Sequence, residues 1–175
     1  MKLFLGGARS GKSSRASEVG GGHGEVIYLA TGVVTDAEME ERVKRHKEDR
    51  PDDWRTIEEE TELGEVFDGL KREGFTGAVI LDCLGFWVSN LMREKGDGSG
   101  RLEEEISETI TDDLSVSNGA GFELLIVSNE VGMGVVPPSS AGREFRDTLG
   151  RVNQAVADLA DEVYLMVAGL EVKLK

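Results

Sequence analysis

The residues Gly6-Gly7-Ala8-Arg9-Ser10-Gly11-Lys12-Ser13 combine types and spacing suited to gripping a polyphosphate. They satisfy the pattern G-x-x-x-x-G-K-[ST] through Gly6, Gly11, Lys12 and Ser13. Glycine lets the backbone take positive φ and bring successive N–H groups up to an anion. Lys12 would reach the β- and γ-phosphates as a point charge, and the Ser13 hydroxyl would hold Mg²⁺. The plainer reading is a chance glycine-rich turn. Its flanks argue otherwise: Lys2 to Leu5 reads as a short buried strand and Ser13 to about Val19 as a helix. That order points a helix N-terminus at the phosphates. The loop leaves the reaction open.

Two further groups bear on the chemistry. The apolar run Ala78-Val-Ile-Leu81 closes on Asp82, and a carboxylate there helps place Mg²⁺ and its water. The plainer alternative is an ordinary strand-end aspartate. The other group is His46. Within an acidic chain, the stretch from Arg42 to Arg50 carries Arg42, Lys44, Arg45, Lys47 and Arg50 against only Glu48 and Asp49. On a helix, Arg42, His46 and Arg50 stack at i, i+4 spacing. Neighbouring cations disfavour imidazolium, which leaves more of the ring neutral and nucleophilic near pH 7, and they attract a triphosphate. Two readings stand on these residues: a nucleophile, or a solvated basic face with an incidental histidine. His23, within the Gly20–Gly24 link, reads as exposed and without a role.

The elements that would carry these groups follow from periodicity. Glu25 to Ala30 reads as a strand ending in Thr31-Gly32, and Thr35 with Glu38 forms a capping box that starts a helix over Asp36 to Asp49. Pro51 sets its end, because the residue before proline is pushed out of the α region. Trp54 to Glu58 reads as a short strand. Leu63 to Arg72 reads as a helix with Leu63, Val66, Phe67 and Leu70 on one stripe. Helices are also expected from Trp87 to Arg93 and, after a flexible Gly96–Gly100, along Leu102, Ile106, Ile110 and Leu114. The acidic residues of that last helix, Glu103 to Glu105, Glu108, Asp112 and Asp113, read as a solvated face. Phe122 to Val127 is a strand, Val131 to Ser140 a loop, and Ala141 to Asp161 a helix with Phe145, Leu149, Val152, Val156 and Leu159 inward. Glu162–Val167 and Glu171–Leu174 are joined too closely for a parallel crossover, so they should pair antiparallel. Strands alternating with helices imply a three-layer α/β domain with a mainly parallel sheet, one domain over residues 1–175.

Composition excludes some partners. With 34 acidic and 20 basic residues the formal charge is -14, which repels nucleic acid and anionic membranes. No apolar run approaches the roughly 20 residues that span a bilayer. Cys83 is the single cysteine, so no intrachain disulfide forms and a reducing cytoplasm fits. The first strand is expected almost at Met1, and no signal peptide is expected before it.

Taken in order, the motifs resemble those of the bifunctional adenosylcobinamide kinase/adenosylcobinamide-phosphate guanylyltransferase family of cobalamin biosynthesis. The likeness runs through Gly6–Ser13, Ala30-Thr31, Asp36-x-Glu38-Met39-x-x-Arg42-Val43-x-x-His46 and Arg50-Pro51-x-x-Trp54-Arg55-Thr56-x-Glu58. It continues through Leu81-Asp82-Cys83-Leu84, Trp87-Val-Ser-Asn-Leu91 and Val127–Pro137. Phe145-Arg-Asp147, Gly150-Arg-Val-Asn-Gln154 and Ala168-Gly-Leu170 close it. Gly85 departs, standing where the family often has a hydroxyl residue, and the Gly20–Gly24 link is shorter and richer in glycine.

The resemblance implies a RecA-like P-loop fold, a homotrimer and two reactions. In these, adenosylcobinamide is phosphorylated by GTP or ATP, and GMP is then passed from GTP to that phosphate through a guanylylated histidine. His46 matches that histidine. Matching nucleotide contacts are Gly6 to Ser13, Ala30, Thr31, Gly32, Lys47, Glu48, Asp49, Arg50, Glu58 and Asp82, with Mg²⁺ at Ser13 and Asp82. Candidates for corrinoid contact are the loop Val131–Ser140 and Arg143, Arg146 and Arg151. Two other expectations compete with this one. Another P-loop small-molecule kinase or GTPase would leave His46 without a role, and a non-catalytic nucleotide-binding subunit would bind GTP without turnover.

Overall fold

Strands buried on both faces read as unbroken apolar runs, and such runs form the centre of the sheet in this computed structural model, which describes residues 1–33, 41, 50–96 and 101–175. The strands are β1 (Lys2–Gly6), β2 (Val26–Ala30), β3 (Arg55–Glu58), β4 (Ala78–Asp82), β5 (Glu123–Asn129), β6 (Glu162–Val167) and β7 (Leu170–Lys173). They form one sheet in the order β3-β2-β4-β5-β1-β6-β7. Every neighbouring pair is parallel except β6 with β7, the antiparallel edge hairpin.

The described helices are α1 (Lys12–Gly20), α2 (Leu63–Glu73), α3 (Leu84–Lys95), α4 (Leu102–Val116) and α5 (Ser140–Leu159). Alternation along the strands sends side chains to two cores. Phe4, Tyr28, Ile80 and Val127 pack on the α1 face with Ala16. Leu3, Leu29, Leu81 and Ile126 pack on the opposite face, which the apolar stripes of the other four helices cover. The layers are therefore helix, sheet, helix. On α4 the stripe is Leu102, Ile106, Ile110 and Leu114, all buried, each side chain contributing on the order of 2 kcal/mol.

Several boundaries depart from the sequence reading. Helix α3 starts at Leu84, because Cys83 is extended and Leu84 is fully buried in the first turn. Strand β5 runs on through Ser128 and Asn129, which pair with Leu5 and Gly6 of β1. The buried Ser128 hydroxyl is satisfied by donating to Asn153 Oδ1 at 2.6 Å. Leu159 is 40 % exposed rather than inward, since α5 ends there and Ala160 is extended. His23 is not idle: its Nε2 lies 3.1 Å from Glu123 Oε2 and its Nδ1 lies 3.3 Å from the Val19 carbonyl. The acidic face of α4 is also partly engaged, as Asp113 accepts from Gly64 N and Glu103 pairs with Arg151. The helix expected over 36–49 lies outside the described residues except for Glu41.

Candidate nucleotide site

The glycine loop leaves the end of β1 and turns into α1, the strand–loop–helix setting its pattern requires. Arg9 at φ 56 and Gly11 at φ 94 both take left-handed backbone, which curls the loop. Gly6 has no room for a side chain: a Cβ there would meet Ser10 Oγ at 2.4 Å and the Met166 carbonyl oxygen at 2.7 Å. Lys12 is 9 % exposed and its Nζ donates to the Gly7 carbonyl at 3.0 Å. Burial lowers its pKa, and the neighbouring Cys83 and Asp82 oppose that shift. A largely desolvated ammonium whose partner among the described residues is a carbonyl is primed for a stronger anionic one.

The edge hairpin braces this loop. Gly169, at φ 80 in the β6–β7 turn, donates its N–H to the Ser10 carbonyl at 2.9 Å. Arg15 of α1 reaches Glu171 of β7 through Nε at 2.7 Å and Nη2 at 3.1 Å, a bidentate clasp.

Asp82 ends β4, and β5 separates that strand from β1. Tyr28 donates its hydroxyl to Asp82 Oδ2 at 2.5 Å. The next residue, Cys83, is buried, and burial with the Asp82 charge pushes its thiol up to about 12. It is therefore protonated near neutral pH and not a nucleophile. Thr31, fully buried, stitches β2 to this region: its hydroxyl donates to the Cys83 carbonyl at 2.7 Å and accepts from Cys83 N at 2.9 Å. Asn90 of α3 then holds the Thr31 carbonyl at 2.8 Å and the Glu60 carbonyl at 3.1 Å. The ends of β2, β3 and β4 are thus tied into one platform.

Beside β3 lies an open pocket of about 510 Å³, lined among the described residues by Arg50, Pro51, Asp52, Trp54, Thr56 and Glu58. The Arg50 guanidinium stacks over the Tyr28 ring, 3.4 Å from its centroid, and its Nε is buried with no hydrogen-bond partner among the described residues. Tyr28 therefore touches both the pocket cation and the Asp82 carboxylate.

Of the residues singled out in the sequence, Gly6 to Ser13 form the loop, Thr31 and Asp82 share a hydrogen-bonded platform, and Arg50 and Glu58 share the pocket. The Ala30 carbonyl accepts from Glu59 N at 3.1 Å and Gly32 follows Thr31. His46, Lys47, Glu48 and Asp49 lie outside the described residues. The arginines considered for the corrinoid have protein partners: Arg143 with the Pro137 and Pro138 carbonyls, Arg146 with Asp147, and Arg151 with Glu103. In the preceding loop Met133 and Val135 are 77 % and 96 % exposed. Sequence reasoning gave no role to Tyr28, Asn90 or Gly169. A tyrosine and an asparagine in otherwise apolar runs were the available signals for the first two.

Comparison with known proteins agrees with this geometry. Among solved structures, an ATPase from the type III secretion system of pathogenic bacteria superposes with a TM-score of 0.62 at 8 % identity. The match covers 98 % of this chain and 56 % of that one, and it shows a RecA-like P-loop fold. The bifunctional adenosylcobalamin biosynthesis protein CobU of Escherichia coli is 37 % identical over 182 residues, covering 100 % of this chain and 99 % of its own. The CobP protein of the same description from Pseudomonas aeruginosa is 39 % identical over 175 residues, covering 99 % and 96 %. The family model for cobinamide kinase / cobinamide phosphate guanyltransferase matches residues 2–174. With the loop, Asp82 and the Arg50–Glu58 pocket inside a match of that extent, the chain belongs to the cobinamide kinase / cobinamide phosphate guanyltransferase family.

Proposed function

We infer that this chain carries out both reactions of its family on one catalytic domain, residues 1–175. The first phosphorylates the side-chain hydroxyl of adenosylcobinamide from GTP or ATP. The second transfers GMP from GTP to the new phosphate, giving adenosylcobinamide-GDP. The observation that carries the reading is Lys12, buried in a glycine loop and held among the described residues by a loop carbonyl, within a chain that the family matches over residues 2–174.

One grip serves both steps. Loop N–H groups and Lys12 hold the β- and γ-phosphates. In the first step the corrinoid hydroxyl attacks the γ-phosphorus, the bridging P–O bond breaks, the nucleoside diphosphate leaves and the hydroxyl loses its proton. In the second, His46 attacks the α-phosphorus, pyrophosphate leaves and a GMP–histidine phosphoramidate forms. An oxygen of the corrinoid phosphate then displaces the histidine. The same phosphates are donor in one case and leaving group in the other.

The hard oxygen donors Ser13 and Asp82 suit Mg²⁺, which would offset the charge of the phosphates. Arg50 adds a cation to the pocket wall. Glu58 is an acceptor that matches the N–H edge of guanine, a donor set adenine lacks there. Lys47, Glu48 and Asp49 complete the nucleotide contacts by their match to the family motif. The exposed Leu170 and Val172 of β7, at the sheet's edge, and the nearby exposed Leu174 support self-association, which the family resemblance makes a homotrimer. The charge of -14 supports small-molecule substrates rather than nucleic acid. No described helix is long and apolar enough to cross a membrane. The single buried cysteine fits a cytoplasmic setting.

Incubation with GTP labelled at the α-phosphorus tests the reading. Label should stay on the wild-type protein in an acid-labile, alkali-stable bond. His46→Asn should lose the label and keep the kinase step. Unlabelled wild type, or label on the variant, would refute the histidine route; no phosphorylation of adenosylcobinamide would refute the kinase.

A further inference from the structure

Tyr28 is 4 % exposed, in the middle of β2, and is engaged at both its ring and its hydroxyl. Its ring carries the Arg50 guanidinium and its hydroxyl donates to Asp82 Oδ2. The geometry is set by register: Ala30 pairs with Asp82 and Tyr28 with Ile80, so the phenol leans along its strand to reach the carboxylate on the next. Among the described residues this is the one side-chain hydrogen bond shown at that carboxylate. It fixes the carboxylate from the Oδ2 side.

We propose that Tyr28 is a positioning residue for the nucleotide reactions: its hydroxyl holds the Asp82 carboxylate in one orientation at the end of β4, and Arg50 stacked on its ring keeps the phenol in place. The proposal rests on the reading that Asp82 serves the metal–nucleotide complex. An unconstrained aspartate samples several rotamers, and only some of them face the phosphates. A partner behind a carboxylate fixes its orientation and basicity, as outer-shell groups do around metal ligands. A phenol packed for stability alone would accept any polar neighbour, and its loss would lower the melting temperature without touching metal or turnover.

Tyr28→Phe isolates the hydroxyl, because the ring and its stack with Arg50 remain. Asp82→Asn and the double variant are its references. Mn²⁺ is the probe, with its affinity measured by electron paramagnetic resonance in the presence of a non-hydrolysable GTP analogue. Tyr28→Phe should weaken Mn²⁺ binding about 10-fold, the lower end of the range for removing an outer-shell partner. It should lower kcat of the kinase step with the nucleotide KM nearly unchanged. In the Asp82→Asn background the same change should add nothing, since coupled groups are not additive. Unchanged Mn²⁺ affinity in Tyr28→Phe, alongside a loss in Asp82→Asn, would overturn the proposal and leave the Asp82 reading intact. Unchanged affinity in Asp82→Asn would remove that reading, and the proposal with it. An equal further loss in the double variant would also overturn it, because Tyr28 would then act elsewhere.

Discussion

The tightest point of the site is Gly6, and a glycine-to-alanine series measures how tight. A Cβ at Gly6 would lie 2.7 Å from the Met166 carbonyl oxygen and 2.4 Å from Ser10 Oγ. Ser10 can turn its hydroxyl aside, but the Met166 carbonyl belongs to β6, which pairs with β1 at this position. Backbone must therefore move. Overpacking of this kind costs about 1–3 kcal/mol, against about 0.4–1 kcal/mol gained from the stiffer unfolded chain. A net loss of about 1–2 kcal/mol lowers Tm by roughly 2–8 °C in a chain of this size. Gly7→Ala adds the same methyl one residue on, where nothing lies within 4 Å, and should be neutral or slightly stabilising. Gly20→Ala falls between: its Cβ meets Ile80 Cδ1 at 2.7 Å, the end of a flexible side chain. Urea unfolding of the three variants gives the order, and fluorescent GTP titration shows whether the Gly6 shift spreads into the loop. Equal stability of Gly6→Ala and Gly7→Ala would refute the steric account.

Lys12→Ala should suppress both reactions by roughly 10²–10³-fold, because each needs charge held at the same phosphates; separate assays of phosphorylation and GMP transfer check this. Asp113 has its pKa raised, first by burial and then by Glu62, Asp112 and Glu65, with Gly64 N opposing. Its folded pKa lies above the unfolded one, so the stability of the protonated form is present at low pH and lost as pH rises through the folded pKa. Asp113→Asn keeps an acceptor for Gly64 and should raise Tm near pH 7 but not near pH 4, as melting curves at the two pH values would show. Cys83, with its thiol near 12 and buried, should resist iodoacetamide at pH 8 in the folded protein and react in urea, followed by mass spectrometry.

Much of the fold is written in short stretches. Ala78-Val-Ile-Leu81 reads as a buried strand without reference to anything else, and the stripe Leu102, Ile106, Ile110, Leu114 needs only helical spacing. What local pattern misses is where an element ends because of a distant partner. Ser128 and Asn129 lie past the apolar run that ends the expected strand at Val127, until β1 pairs with them. His23 looks idle until Glu123 is beside it, and Leu84 lies before the expected helix until burial places it inside. In each case the deciding contact crosses many residues, and no window of sequence contains it.

The site divides along the same line. Gly6 to Ser13 and Asp82 are recognisable because a phosphate grip needs particular residues at fixed offsets, so the chemistry is local in the chain. The groups that hold them in place come from elsewhere: Gly169 reaches Ser10, Asn90 reaches Thr31, and Tyr28 reaches Asp82. A supporting residue needs only one correctly aimed donor, and several residue types at several positions supply that. It therefore leaves no spacing rule behind. In a parallel sheet the strands that support a loop are brought in by crossovers, which makes the support remote in sequence by construction. The ligand-facing half of such a site is read from the chain, and the positioning half from the register of the sheet: Tyr28 is a buried tyrosine in the sequence and becomes a handle on Asp82 once β2 is laid beside β4.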